Sequence, residues 1–205
     1  MLKEPGEPKA ETPAASSKFT RPDKFVILPQ HLLKAMVKLG GLLKGLDEEW
    51  AIGGDAGELV QGVYVPADHL EILTTKKGCE EMSAKLSTYQ TLAPKETEKK
   101  LERDAVFEGQ PCPAYKKSEY AEFVLDTARV EVYGDMRIKL GDRDWSDPLD
   151  FEPTQVNVVG TSLPLVPLEL KNKVYVYLGP NWVDRVQRIS EAVARSRREQ
   201  KIGRA

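Results

Sequence analysis

The chain has 205 residues, of which 40% are apolar and 30% are charged, and its formal net charge is −2. These values are typical of a globular domain with its own core, and the slight acidity argues against a general nucleic-acid binder. The two cysteines, Cys79 and Cys112, are too few for a disulfide framework or a zinc quartet. No segment is apolar enough to span a bilayer and no secretory signal is visible, so we expect a cytoplasmic protein.

The first part of the chain divides into a leader, a helix and a strand. Residues 1–23 carry prolines among Glu, Lys, Ala and Ser, and this composition predicts a disordered leader. Apolar residues at helical spacing predict a helix over 30–46, which ends near Gly45. The short apolar segment 49–52 predicts the first strand of the core.

A glycine pair, Gly53-Gly54, follows this strand. Taken alone, such a pair is most often a simple turn, but its backbone amides are also able to approach phosphate oxygens. Asp55 and Glu58 have the spacing of a capping box and predict a short helix after the turn, with Asp55 as its N-cap.

Residues 69–73 alternate in polarity and predict the next strand. Its even-numbered aliphatic residues face one side, whereas His69 and Glu71 face the other. Asp68 lies one residue earlier and therefore points away from Glu71, unless a bulge rotates it back. The alternative interpretation makes Asp68 and Glu71 solvated carboxylates and His69 a surface histidine.

The remaining segments predict more helices and strands. The predictions, in chain order, are a helix over 78–86, a charged helical or loop segment over 95–103, hairpin strands over 119–125 and 128–132 with an extension over 136–140, a loop over 145–153, a strand over 155–159, and two helices from Pro167 on, divided at Gly179-Pro180. We therefore predict an α/β fold in which a small mixed sheet is flanked by helices. The α/β core takes residues 24–166, and 167–205 form a C-terminal helical segment with a basic tail.

Two glutamates suggest a metal site within this core. Glu71 and Glu131 lie on strands that are predicted to be neighbours, where their carboxylates would face each other. Nucleotidyl transfer needs two or three carboxylates that hold Mg²⁺ against phosphates. His69 shares the face of Glu71, although imidazole suits magnesium poorly. Glu131 also fits the simpler role of a solvent-facing strand residue.

The basic tail has two interpretations. Its cations are Arg185, Arg188, Arg195, Arg197, Arg198, Lys201 and Arg204. They either steer RNA, DNA or a nucleotide polyphosphate, or belong to a solvated helix end. We favour the solvated end because no aromatic residues are interleaved among them.

Several of these segments together resemble the nucleotidyltransferase-fold superfamily. The signature of that superfamily is an apolar residue with Gly-Gly or Gly-Ser, about a dozen residues, and then Asp-apolar-Asp-apolar; the matching segments here are IGG and PADHLEIL. A later strand carries the third carboxylate, and ARVEV places Glu131 there. The end of the chain resembles the small archaeal members in VEVYGDMRIKL and SLPLVPLELKNKVYVYLGPNWVDRV. The resemblance covers roughly residues 28–194.

This resemblance implies a small enzyme that transfers a nucleoside monophosphate from a nucleoside triphosphate to a hydroxyl on protein, RNA or a small molecule. It implies catalytic roles for Asp68, Glu71 and Glu131. It also implies that Mg²⁺ is bound by residues from this group together with His69, and that the nucleotide is bound by Gly53-Gly54.

The chain departs from the signature at both aspartates, because the Asp-x-Asp of the family reads His69-Leu70-Glu71 here. A non-catalytic member that binds a nucleotide or a protein partner is therefore the second hypothesis. A third is a nucleic-acid-binding accessory protein that uses the arginine tail.

Overall fold

The computed structural model describes residues 27–202, so the predicted leader over 1–23 lies outside the described residues. The described helices are α1 (Gln30–Leu42), α2 (Gly54–Val60), α3 (Lys76–Lys85), α4 (Leu168–Leu178) and α5 (Val183–Ile202). The described strands are β1 (Trp50–Gly53), β2 (Leu70–Thr74), β3 (Gln90–Lys100), β4 (Ala105–Phe107), β5 (Gln110–Cys112), β6 (Ala114–Leu125), β7 (Ala128–Leu140), β8 (Thr154–Val158) and β9 (Thr161–Leu165). In this part of the chain, no helix is both long and apolar enough to cross a membrane.

Seven of the strands form one mixed sheet, in the order β3-β6-β7-β2-β1-β9-β8. β2 runs antiparallel to β1 and parallel to β7, and β1 runs parallel to β9. The predicted α/β fold with a small mixed sheet and a C-terminal helical segment is confirmed. This order places β2 and β7, the strands of Glu71 and Glu131, side by side in the middle of the sheet.

The largest core cluster lies between one face of the sheet and the helices α1 and α3. Its fully buried side chains include Leu32, Met36, Leu39, Ile52, Leu70, Ile72, Met82, Phe123, Val130 and Val132. The apolar stripe of α1 has the helical spacing that the sequence shows, and burial of each large aliphatic side chain contributes roughly 1.5–3 kcal/mol. This cluster holds the central strands in register.

The opposite face of the sheet carries the candidate site, and we call it the site face. Leu73, Tyr120, Tyr133 and Val166 form a small cluster there. A second cluster on this side joins α2, α4 and α5 to the far ends of β6 and β7, and includes Leu59, Ala114, Ile138, Leu140, Tyr175, Leu178 and Ile189. The C-terminal helices therefore pack against the segment that follows the glycine pair.

Most predicted elements are present, but the expectation for 95–103 was wrong. Residues 95–100 of this segment belong to β3, an eleven-residue strand that pairs with β6, and only 101–103 form a loop. It is the edge strand of the sheet, so most of its side chains are exposed and it shows no apolar face. Charged residues and Pro94 are typical of an exposed edge, because they discourage pairing with another chain.

The predicted capping box is also absent. The N-cap of α2 is Gly53, and no side chain caps this helix. Asp55 instead lies 2.8 Å from Arg185, and Glu58 is only 1% exposed. Both carboxylates turn toward the C-terminal helices because those helices supply the cations that compensate them.

Two arginines of the basic tail fasten α5 to the segment after α2. Arg188 donates to the carbonyl oxygen of Tyr64 at 2.7 Å, and Arg195 donates to that of Gly62 at 2.5 Å. Arg195 also lies over the Tyr64 ring, 5.2 Å from its centroid. Part of the positive charge of the tail is therefore used to hold the helix on the domain.

Candidate functional site

Glu71 and Glu131 stand directly opposite each other on β2 and β7. Their side chains are 24% and 9% exposed. Two like charges that face each other on neighbouring strands destabilise the pair unless other groups compensate them. The neighbours of these carboxylates therefore decide what the site is able to bind.

His69 lies between the two glutamates. Its Nε2 is 3.3 Å from Glu71 Oε1 and 3.7 Å from Glu131 Oε2. One ligand atom from each of these three residues lies within 4.8 Å of the others, which is close enough for a single metal ion. The structure thus brings His69, Glu71 and Glu131 together.

Asp68 contacts the far side of the same imidazole. Its Oδ1 lies 2.5 Å from His69 Nδ1, and its side chain is 88% exposed. A carboxylate on one ring nitrogen fixes the tautomer and directs the other nitrogen toward a metal. Asp68 therefore orients His69 and does not itself join the two glutamates.

The pKa values of this cluster reflect its ion pairs. The hydrogen bond with Glu71 raises the pKa of His69 to about 9; burial opposes the rise and Asp68 adds to it. Burial disfavours the ionised form of Glu71, but the hydrogen bond with His69 and the charges of Lys116 and Lys171 hold its pKa at about 2. The imidazolium therefore balances part of the negative charge of the two glutamates.

Glu131 is held by groups on its own strand and on β6. Tyr133 donates its hydroxyl hydrogen to Glu131 Oε2, and Arg129 Nη1 lies 3.4 Å from Oε1. Lys116 donates to the Tyr133 hydroxyl at 2.9 Å, and its Nζ lies 4.0 Å from the centroid of the Tyr133 ring. Burial lowers the pKa of Lys116 and raises that of Tyr133. Lys116 and Tyr133 were not predicted as site residues, and both lie just outside the strands predicted over 119–125 and 128–132.

The glycine pair lies against Glu71. Gly54 has a φ of +58°, and a Cβ added there would come within 2.8 Å of the Glu71 side chain. Only glycine allows both this backbone conformation and this close approach. The turn after β1 and the carboxylates of β2 and β7 therefore form one continuous surface.

Glu58 anchors this turn to the C-terminal helices. Tyr175 donates to it at 2.7 Å and Arg185 donates to it at 3.2 Å, while Lys171 Nζ lies 3.4 Å away. Arg185 also compensates Asp55, so the turn carries no uncompensated aspartate. The sequence did not reveal this network, since its partners lie more than 100 positions apart.

The donor set fits a divalent metal ion. Two carboxylate oxygens suit Mg²⁺ or Mn²⁺, and the imidazole nitrogen shifts the preference toward transition metals. Asp68 completes the arrangement that metal-binding histidines usually have. The three residues are thus a candidate metal centre.

Comparisons with solved structures bear on the fold. A Thermotoga maritima protein described as a candidate nucleotidyltransferase superposes with a TM-score of 0.60 at 22% identity, covering 82% of this chain and 96% of that one. ANT(2")-Ia in complex with adenylyl-2"-tobramycin gives a TM-score of 0.44 at 8% identity, covering 82% and 92%. A nucleotidyltransferase-like protein of Paracoccidioides brasiliensis gives 0.38 at 14% identity, covering 78% and 75%.

The sequence matches none of the protein-family models and none of the curated proteins with which it was compared. The first structural likeness nevertheless covers most of both chains. The chain therefore has the nucleotidyltransferase fold.

Proposed function

We propose that the protein is a metal-dependent nucleotidyltransferase, which transfers a nucleoside monophosphate from a nucleoside triphosphate to a hydroxyl. The observation that carries the proposal is the register of Glu71 with Glu131, together with the Gly54 backbone against Glu71. The nucleotidyltransferase fold supports it. The acceptor hydroxyl belongs to a protein, an RNA or a small molecule, and the proposed setting is the cytoplasm.

Each residue of the cluster has a role in this proposal. Glu71 and Glu131 would hold Mg²⁺ or a similar ion, and His69 would add its Nε2 once that nitrogen is deprotonated. The ion would neutralise charge on the phosphates and on the departing pyrophosphate. Asp68 keeps His69 oriented, and the amides around Gly53-Gly54 contact the phosphates.

One observation favours a second candidate function. In the described structure, His69 makes ion pairs with both glutamates and takes the place of a cation between them. A non-catalytic module that binds a nucleotide without a metal, or binds a protein partner, would need no more than this. The two functions differ in whether binding of a nucleotide depends on a metal.

Calorimetry with ATP, GTP, CTP and UTP tests both functions, each measured with Mg²⁺, with Mn²⁺ and with EDTA. We expect binding that depends on the metal and is lost in the double variant Glu71→Gln, Glu131→Gln. Glu96→Gln is the matched control, because it removes an exposed glutamate from the edge strand β3. Binding that is equal with and without metal would favour the module, and no binding of any triphosphate would exclude the transferase.

A further inference from the structure

Two lysines lie beside the candidate metal centre without a carboxylate partner. The register of β3 and β6 pairs Lys99 directly with Lys116. Among the described residues, neither lysine has a carboxylate oxygen within 4.0 Å. By contrast, the nearby Lys117 and Lys139 each have a glutamate of β3 as a partner, at 3.1 and 3.8 Å.

Both lysines lie on the site face, each over a tyrosine ring. Lys99 Nζ lies 3.9 Å from the centroid of Tyr120, and Lys116 Nζ lies 4.0 Å from that of Tyr133. Like charges directly opposite each other destabilise a strand pair, and Lys116, which is half-buried whereas Lys99 is exposed, has no carboxylate to offset its desolvation. An anion bound between the two ammonium groups would remove both costs.

The strand order places this lysine pair on the far side of the carboxylates from the glycine turn. The turn ends β1, the carboxylates lie on β2 and β7, and the lysines follow on β6 and β3. In phosphoryl transfer, the attacking and leaving oxygens lie roughly in line across the phosphorus. A pyrophosphate that leaves toward Gly53-Gly54 is therefore attacked from the side of Lys116.

We propose that the acceptor of the nucleotidyl group is an anionic hydroxyl compound, whose phosphate or carboxylate binds between Lys116 and Lys99. This inference rests on the proposed transferase function. The hydroxyl oxygen forms a bond to the α-phosphorus, the bond from that phosphorus to the bridging oxygen breaks, pyrophosphate leaves, and the hydroxyl proton passes to water. Lys116 and Lys99 bind and position the acceptor and do not react.

The charge on Glu71 and Glu131 should also affect how tightly the anion binds to the lysine pair. Glu71 and Glu131 lie close enough to attract Lys116. If these carboxylates held a divalent ion, their charge would be neutralised and Lys116 would lose this attraction. The anion should therefore bind more tightly after the metal and nucleotide have bound.

Inorganic phosphate is the probe, titrated calorimetrically into the full chain with Mg²⁺ and a non-hydrolysable α,β-methylene triphosphate already bound. We expect Lys116→Gln to weaken phosphate binding by about tenfold or more, which corresponds to loss of one charge-assisted hydrogen bond. Lys99→Gln, on the exposed edge strand, should weaken it about threefold. Lys139→Gln is the matched control, because it also removes a lysine over aromatic rings, but on the opposite face, and it should leave phosphate binding unchanged.

Affinity for the magnesium nucleotide separates this inference from the proposed function. If the nucleotide binds but phosphate does not, or if Lys116→Gln and Lys139→Gln act alike, only the anionic acceptor is refuted. If no nucleotide binds, the transferase itself fails, and the inference falls with it.

Discussion

The substitution Glu58→Gln should lower the free energy of unfolding by about 3 kcal/mol, the lower end of the cost of breaking a buried ion pair. Glu58 is 1% exposed and has three partners, Tyr175, Lys171 and Arg185. Glutamine keeps the size of the side chain and an acceptor for Tyr175, but it leaves Lys171 without its closest anion. Arg185 keeps Asp55 at 2.8 Å, and this is why we take the lower end of the range.

Urea denaturation of the wild type and of Glu58→Gln measures this cost as a shift of the midpoint at constant slope. Glu169→Gln is the control, since it removes the same charge from an exposed position on α4, and it should change stability by less than about 0.5 kcal/mol. If Glu58→Gln proved as stable as this control, the ion pairs around α2 would not hold the C-terminal helices on the domain. The glycine turn would then owe its position to apolar packing alone.

Three further predictions concern the metal centre. Without metal, the free energy of unfolding should fall by about 2 kcal/mol between pH 6.5 and pH 9. Folding raises the pKa of His69 from 6.5 to about 9, so the stabilisation by His69 is complete below pH 6.5 and is lost as the pH rises through 9. Denaturation of His69→Asn should show no such dependence on pH. Gly54→Ala should lower the free energy of unfolding by about 2 kcal/mol and weaken Mn²⁺ binding, because it combines a positive φ with a close approach to Glu71. Gly41→Ala, at an exposed position of α1 where an added Cβ meets nothing within 4 Å, should instead stabilise this helix by about 0.5–1 kcal/mol. His69→Asp should raise Mg²⁺ affinity by about tenfold or more, because it replaces an imidazolium with an oxygen ligand; calorimetry that shows weaker Mg²⁺ binding in this variant would mean that the ion does not lie between Glu71 and Glu131.

The apolar pattern was enough to predict the central strands. Leu70 and Ile72 alternate with Glu71, and the structure buries both aliphatic residues between the sheet and α1 and α3. One face of the strand is fully buried, so a shift by one residue would expose its apolar side chains. For the same reason, the hairpin of β6 and β7 turns at Asp126-Thr127, as its pattern predicts.

The same reasoning failed at β3 and at Glu58. β3 is an edge strand that is held in place by its hydrogen bonds to β6, so its own residues show no apolar periodicity. The partners of Glu58 lie on α4 and α5, and a local spacing rule assigned this residue to a helix cap instead. In both cases the deciding contacts are distant in sequence, and propensity rules do not include such contacts.

At the polar end of β2, residue spacing predicts which side chains share a face, and Asp68 follows this prediction. Alternation along β2 places His69 and Glu71 on the same face, and the structure follows this alternation. Asp68 does not rotate into the cluster, because a hydrogen bond to His69 Nδ1 already engages its carboxylate. The departure from Asp-x-Asp therefore replaces a direct carboxylate ligand with an imidazole that a carboxylate supports. Since this pair still points a nitrogen at Glu71 and Glu131, the proposed metal centre keeps three converging ligand atoms, and its imidazole would shift its preference toward transition metals.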